Sequence, residues 1–360
     1  MGQQELVDWI RLIGTENVGP ATFRHLLQRY GSASEALKML PSISKEKRLT
    51  IPSINFAEDQ LQKAHEHDIK ILTWDDAEYP TYLKAIDSAP PVLYIKGNHK
   101  LFYNQNFAIV GSRNASLNGI KFTRDVSSDL GASGLNIVSG LAQGIDTAAH
   151  QGSLDTGTIA VLGGGIDVIY PKENAGLHTL IGEQGLLVSE FPFGTPPAAH
   201  HFPRRNRIIA GLSSGVLVVE ALHQSGSMIT ANYANDFGRD IFAAPGFPYD
   251  PRSEGPNQLI MNGAYLVRSA ADIIDHLSIH LDLIKSFDPK KYFPTPGPEV
   301  RGLSEMKSKV LDLLSTAPID IDSIIQHTGL SAAYVWDVML ELELSGKLER
   351  LAGNKVSLRP

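Results

Sequence analysis

Hydrophobic and polar positions change rhythm twice along this chain. Up to about Lys70 the apolar residues recur at helical spacing, in Leu6 to Ile13, in Ala21 to Tyr30 and in Ser34 to Leu40, with Ser34 the expected cap. Asn17-Val18-Gly19-Pro20 separates the first two and puts Pro20 at a helix start. From Ile71 to Gly97, Ile71-Leu72-Thr73-Trp74 and Pro90 to Gly97 read as extended pieces between proline turns, joining the helical part to a larger domain. Then short apolar runs without polar alternation follow one another: Phe107 to Gly111, Asn136 to Gly140, Thr158 to Gly163, Leu186 to Glu190, Gly215 to Glu220, Ile241 to Gly246 and Tyr265 to Val267. Such runs suit strands buried on both faces. With helical stretches between them, such as Asn118 to Leu130 and Asp146 to Ser153, they predict an α/β, doubly wound parallel sheet of Rossmann type.

The rhythm stops at Ser286 to Val300, where Pro289, Pro294, Pro296 and Pro298 mark a linker. Beyond it, Lys307 to Leu314, Ile319 to His327 and Ser331 to Ser345 have helical spacing, and Lys347 to Arg350 can pair with Lys355 to Leu358 across Gly353-Asn354. Three helices and a hairpin predict a winged-helix-like domain. Its third helix carries Asp337, Glu341 and Glu343, which would repel phosphates, so a protein contact or simple packing is expected there in place of groove reading. The N-terminal hairpin resembles a helix-hairpin-helix or SAM-like unit, whose tight turn can present N–H groups to a phosphate; a small bundle packing on its neighbours fits the same residues. The domains expected are residues 1–70, 71–285 and 301–360, with 286–300 as linker.

Composition narrows the chemistry. The 360 residues include no cysteine, which excludes disulfides, thiolate catalysis and cysteine-ligated zinc or iron–sulfur clusters. The start, Met1-Gly2-Gln3-Gln4-Glu5-Leu6, lacks a secretory pattern, and no apolar run has the length of a membrane span. A cytoplasmic protein without membrane contact is the expectation. The formal net charge of −7 argues against bulk coating of nucleic acid but says little about a focused patch. Against that acidic background, Phe202-Pro203-Arg204-Arg205-Asn206-Arg207 stands out, because no carboxylate occurs between Phe202 and Val219. Guanidinium groups match phosphate oxygens, so an anionic ligand is one reading and an ordinary solvated helix start the other.

Several motifs fail on context. No Gly-x-x-x-x-Gly-Lys-Ser/Thr occurs, and Gly163-Gly164-Gly165 lacks the third glycine of a dinucleotide fingerprint, so no nucleotide cofactor is expected. Gly211-Leu212-Ser213-Ser214-Gly215 spells a nucleophile elbow but lies between a helix and the next strand, the reverse of what that elbow needs. His200-His201 and His65-Glu66-His67 lack metal-ligand spacing. What remains are turns rich in glycine, hydroxyls and cations: Gly111-Ser112-Arg113, Ser139-Gly140-Leu141-Ala142, Gly163 to Gly165, Tyr170-Pro171-Lys172 and Ser225-Gly226-Ser227. Their N–H groups can track a polyphosphate backbone, or the glycines serve only to shape tight βα turns.

In their order and wording these motifs resemble the DNA-processing protein A (DprA/Smf) family. The likeness covers about residues 100–275 and rests on Gly111-Ser112-Arg113, Ser139 to Asp146 with Ala149-His150, Ala160 to Asp167 with Ile169-Tyr170-Pro171, Phe202 to Ser213, and Ser225 to Ser227 with Thr230. It implies a non-enzymatic single-stranded DNA-binding protein that protects incoming DNA in natural transformation, loads the RecA recombinase and forms dimers through an extended Rossmann domain. The implied DNA-binding residues are Ser112, Arg113, Gly140, Lys172, His201, Phe202, Arg204, Arg205, Asn206, Arg207 and Ser227. Family members often carry a lysine shortly before the Phe-Pro-x-Arg-Asn-Arg segment, where this chain has Ala198-Ala199-His200-His201, so either a histidine replaces that cation or the contact is absent. Two other classes remain in play: a nucleotide-processing enzyme of the related lysine-decarboxylase-like fold, whose Pro-Gly-Gly-x-Gly-Thr motif is missing here, and an adaptor that uses the sheet as scaffold.

Overall fold

The structure is a computed structural model that describes residues 1–43, 49–284, 303–351 and 354–359. The expected linker at 286–300 and Gly353 of the expected hairpin turn lie outside the described residues. Two compact units emerge: one spans residues 58–285, and the other combines residues from 2–57 with residues from 286–360.

The larger unit holds a sheet whose strands run in the order β1-β2-β6-β5-β4-β3-β7-β8-β9. In chain order its elements are α4 (Ile54–Glu66, which begins in the other unit), β1 (Lys70–Thr73), the short α5 (Thr81–Lys84), β2 (Val92–Gly97), β3 (Asn106–Val110), α6 (Leu117–Ala132), β4 (Asn136–Ser139), α7 (Ile145–Ser153), β5 (Thr158–Val161), α8 (Ala175–Gln184), β6 (Leu186–Ser189), α9 (His201–Leu212), β7 (Gly215–Val218), α10 (Gly226–Asp236), β8 (Asp240–Ala243), α11 (Glu254–Met261), β9 (Tyr265–Leu266) and α12 (Ala270–Ile284), with α1, α2 and α3 belonging to the other unit. Strands β3 to β9 pair in parallel. The stretch read as a joining segment does something else: β1 and β2 pair antiparallel with each other, and β2 pairs antiparallel with β6, so they extend the sheet edge. The proline turns between them reverse the chain, which parallel pairing would not allow at that length.

Helices cover both faces because side chains alternate along each strand. Phe107 and Ile109 of β3 join Val126 and Leu130 of α6, Ile145 and Ala149 of α7 and Ile273 of α12 in one core, while α9 and α10 contact the sheet elsewhere along β3, β7 and β8. The chain steps outward from β3 through β4, β5 and β6, then returns to lay β7 on the other side of β3. That reversal puts a topological switch point at the carboxyl ends of β3 and β7, where such sheets form crevices.

α9 runs over the sheet along β3, β4 and β5 with its first turn at their carboxyl ends, and polar contacts fix it there. Asn206 Nδ2 donates to the Gly226 carbonyl at 2.9 Å, and Arg207 donates to Ser88 O and to Glu190 at the end of β6, both at 2.5 Å. Arg204 reaches the same carboxylate at 3.2 Å, three positions away on one helix face. The carboxylate that the local sequence lacked is therefore supplied from β6. Ser213 is buried with its hydroxyl on Ile209 O at 2.9 Å, in keeping with the false elbow motif.

In the smaller unit α1 (Gln3–Ile13), α2 (Pro20–Tyr30) and α3 (Ala33–Ile43) pack with a winged-helix fold made of α13 (Leu303–Leu311), β10 (Ile319–Asp320), α14 (Ile321–Thr328), α15 (Ala332–Leu344), β11 (Leu348–Leu351) and β12 (Lys355–Leu358). Ser34 lies inside α3, and it is the Ser32 hydroxyl that takes the Glu35 N–H, at 3.2 Å. Ile319 and Asp320 form a strand beside β12 and not the start of a helix, because Asp320 caps α14 by accepting from Asp322 N at 2.8 Å.

One consequence is measurable. The side chains of Arg207 and Glu190 are 6% and 3% exposed, so Arg207→Ala strands a buried carboxylate beside the single, half-exposed Arg204. A loss of about 3 kcal/mol is expected as a lower urea midpoint at unchanged slope, whereas Arg204→Ala costs less than about 1 kcal/mol.

Candidate nucleic-acid interface

A cavity of about 370 Å³ opens at the carboxyl ends of β3, β4 and β5. The turn after β3 supplies Arg113, the turn after β4 supplies Gly140 to Gln143, the turn after β5 supplies Leu162 to Gly164, the following loop supplies Tyr170 to Glu173, and α9 supplies Phe202 and Arg205. Five of the residues singled out from sequence meet here: Arg113, Gly140, Lys172, Phe202 and Arg205. Glu173 is the acidic member of the lining.

Arg205 forms the base of the site. It is 4% exposed, and its guanidinium rests on Gly140 so closely that a Cβ there would fall 1.3 Å from Nη1. Glycine at this position is required by the arginine above it. Burial lowers the Arg205 pKa to about 10, while Asp146 pulls it back up and Arg113 pushes it further down. Arg205 therefore stays cationic at neutral pH, yet its buried Nε has no hydrogen-bond partner among the described residues. A buried donor left unpaired in this way is destabilising.

The turn after β4 behaves differently from the sequence expectation. Its N–H groups do not face a ligand: Gly140 N and Ala142 N donate to Asp146 at 3.2 and 3.4 Å, and Leu141 N donates to His150 Nε2 at 3.3 Å. Asn174 Nδ2 ties the same turn from outside, donating to Leu141 O at 2.9 Å. These contacts hold Leu141 at φ +56, a conformation non-glycine residues rarely adopt. These N–H groups are thus taken up within the protein. Burial pushes the Asp146 carboxyl up, opposed by Arg205 and the N–H groups, and burial with Arg205 pushes His150 down to about 3. His150 is neutral, accepting at Nε2 and donating from Nδ1 to Thr158 Oγ1 at 2.7 Å.

Phe202 forms one wall. Its ring packs on Gly163, where a Cβ would fall 2.9 Å from Cδ1, and Tyr170 stands with its ring centroid 5.6 Å away. The exposed Arg113 guanidinium lies 5.1 Å from the Phe202 centroid. His201 turns away, stacking on Phe191 at 4.2 Å with Nδ1 3.2 Å from Gly163 O; burial, then His200, lowers its pKa, so it brings no standing charge at neutral pH.

The remaining predicted residues lie outside the lining. Ser112 Oγ accepts from Asn114 N at 3.1 Å, Ser227 Oγ donates to Gly111 O at 2.9 Å, and Arg204, Asn206 and Arg207 are engaged as described above. Four residues that support the site escaped the sequence reading as such: Asp146, His150, Asn174 and Glu190. Asp146 and His150 are spaced four apart on one face of α7, a signal that was present but cannot announce which turn they hold.

The unfolded chain protonates His150 near its ordinary value of 6.5, whereas the folded protein resists until about 3. The unfolded state therefore binds the extra proton, and stability falls as pH drops below about 6.5. In His150→Gln the slope of unfolding free energy between pH 6 and 4 is expected to shrink by up to about 1.4 kcal/mol per pH unit. An unchanged slope contradicts the assignment.

Comparison with known proteins places these features in a family. The family model for DNA recombination-mediator protein A matches residues 70–278, that for a DprA-like N-terminal HHH domain matches 3–62, and that for a DprA winged helix domain matches 294–354. Protein Smf of Synechocystis is 34% identical over 100% of both chains. DNA processing protein DprA of Streptococcus pneumoniae is 49% identical over 54% of this chain and 70% of its own. The X-ray structure of that pneumococcal protein superposes with a TM-score of 0.64 at 37% identity, covering 76% of this chain and 98% of the other. A Helicobacter pylori DNA processing protein A structure, described for its single-stranded DNA binding mode, gives a TM-score of 0.54 at 28% identity over 59% of this chain and 96% of the other. With three family models matching in order along its length and a full-length relative above 30% identity, the chain belongs to the DNA processing protein A (DprA/Smf) family.

Proposed function

We propose that this protein binds single-stranded DNA in the cavity at the ends of β3 to β5, and that in natural transformation it protects the strand and delivers it to the RecA recombinase. The observation that carries the reading is the pairing of cations with an aromatic wall: Arg113 against Phe202, Tyr170 beside it, Lys172 at the rim and the unpaired Nε of Arg205 beneath. Cations neutralise phosphates, and an aromatic face stacks any base, so the combination suits a single strand without sequence preference. The single-stranded DNA binding described for the H. pylori relative supports it. Ser112, Gly140, His201 and Ser227 act by shaping the turns, and Arg204, Asn206 and Arg207 by anchoring α9. Self-association fits the β9 edge of the sheet, where Tyr265, Leu266 and Met261 are exposed.

A nucleotide-processing enzyme is disfavoured by the placement of Glu220. Its carboxylate accepts from Ser116 N at 2.9 Å and from Ser116 Oγ at 2.5 Å, at the start of α6, and is thus engaged in holding that helix.

Fluorescence anisotropy with a labelled single strand across a salt series tests the reading. Arg113→Ala and Lys172→Ala are each expected to weaken binding about tenfold and to reduce the salt slope by about 0.7. Phe202→Ala is expected to lose about 1–3 kcal/mol at unchanged salt slope. Unaltered affinity in folded variants defeats the proposal.

A further inference from the structure

The outer face of α15, which in a winged helix would enter a DNA groove, is covered in this protein. Val335, Val338, Met339 and Leu342 of α15 belong to the winged-helix core. Leu340 and Leu344 are also fully buried, at 0% exposure, yet lie outside that core, on the stripe that continues from Trp336. α2 and the turn before it meet this helix at Trp336, Asp337 and Leu344. The His25 ring stacks on Trp336 at 6.2 Å, His25 Nε2 lies 3.3 Å from Asp337 Oδ1, the Arg29 guanidinium pairs with the same carboxylate, and Asn17 Nδ2, in the turn before α2, donates to Leu344 O at 3.4 Å.

Charge separates the two helices cleanly. α2 carries Arg24, His25 and Arg29 and no carboxylate, while α15 carries Asp337, Glu341 and Glu343 and no cation. Glu341 and Glu343 are matched inside the winged-helix domain by Lys307 at 2.7 Å and Arg350 at 3.1 Å. Asp337 is the carboxylate given to α2. An arginine and an imidazole meeting one carboxylate on the helix that follows a tight turn is an arrangement in which a backbone phosphate can take the carboxylate's place.

We propose that the basic face of α2 is a second nucleic-acid phosphate site, kept closed by α15, with Asp337 occupying the position of a phosphate. The winged helix then acts as an internal competitor for nucleic acid and not as a reader of it. The site is separate from the sheet cavity and does not depend on the function proposed for it.

The test uses the full chain carrying Arg113→Ala and Lys172→Ala, so that the cavity contributes little. Leu340→Ser with Leu344→Ser removes the apolar seal without changing charge. Affinity for labelled single-stranded and duplex oligonucleotides of about 30 nucleotides is expected to rise about fivefold or more at low salt for at least one of them, with a steeper salt slope. Adding Arg29→Glu should return it to the parent value. Hydrogen-exchange protection of α14 and of the β11–β12 hairpin confirms that the winged helix remains folded; if it does not, Asp337→Ala, at a half-exposed position, is read in the same way. A folded, opened variant that binds neither oligonucleotide better than its parent overturns the proposal, as does a gain that survives Arg29→Glu.

Discussion

The guanidinium of Arg205 occupies the space where Gly140 would carry a side chain, and the ligand-facing edge of the sheet is arranged around that fact. To bring an arginine this deep, α9 must be held over the sheet with its first turn at the strand ends. The turn after β4 must also keep a backbone conformation that a free chain would avoid. Asp146, His150 and Asn174 supply the second condition by occupying the N–H and carbonyl groups of the turn, and Glu190 supplies the first by holding Arg207. The turn and the helix that carries Arg205 are thus held by contacts within the protein.

Helical geometry divides labour among three arginines that look equivalent in sequence. Arg204 and Arg207 are three apart, share a face and converge on Glu190, whereas Arg205 is one step round the helix and faces the cavity. A local excess of positive charge therefore overstates the charge offered to a ligand. The cations that remain available are Arg113 and Lys172, both exposed, with Arg205 as a buried third.

Much of the fold is legible in the chain, because strands buried on both faces leave unbroken apolar runs and glycine marks their ends. Phe107 to Gly111 and Thr158 to Gly163 needed no tertiary information. The site was legible as a set of turns, and in five lining residues, but not as a geometry. Nothing local to Ser139-Gly140-Leu141 reveals that its N–H groups are consumed by α7, since that depends on how Asp146 and His150 are brought back over it. Nor does Arg207 disclose Glu190, seventeen positions away on another element. The edge hairpin of β1 and β2 was hidden for a related reason: pairing partners distant in sequence decide whether an extended stretch is a strand or a connector.

Burying a cation under a binding site costs stability whether or not the ligand is present. Arg205 has lost water, gained Asp146 as a countercharge and kept one donor unpaired, so part of the desolvation that a surface arginine would undergo on binding has already happened during folding. An anion that reaches it meets a donor fixed in place and poorly screened by solvent, which strengthens the contact and removes its ordering cost. The exposed Arg113 and Lys172 act in the opposite sense. Exposed and screened by salt, they would, on the proposed function, attract a polyanion from a distance but define its position weakly. On the proposed function, one deep cation with two exposed ones in the same cavity would separate capture of a strand from its registration. The rings of Phe202 and Tyr170 line the same cavity with Arg113 over Phe202, and on the proposed function theirs are the faces on which a base would stack.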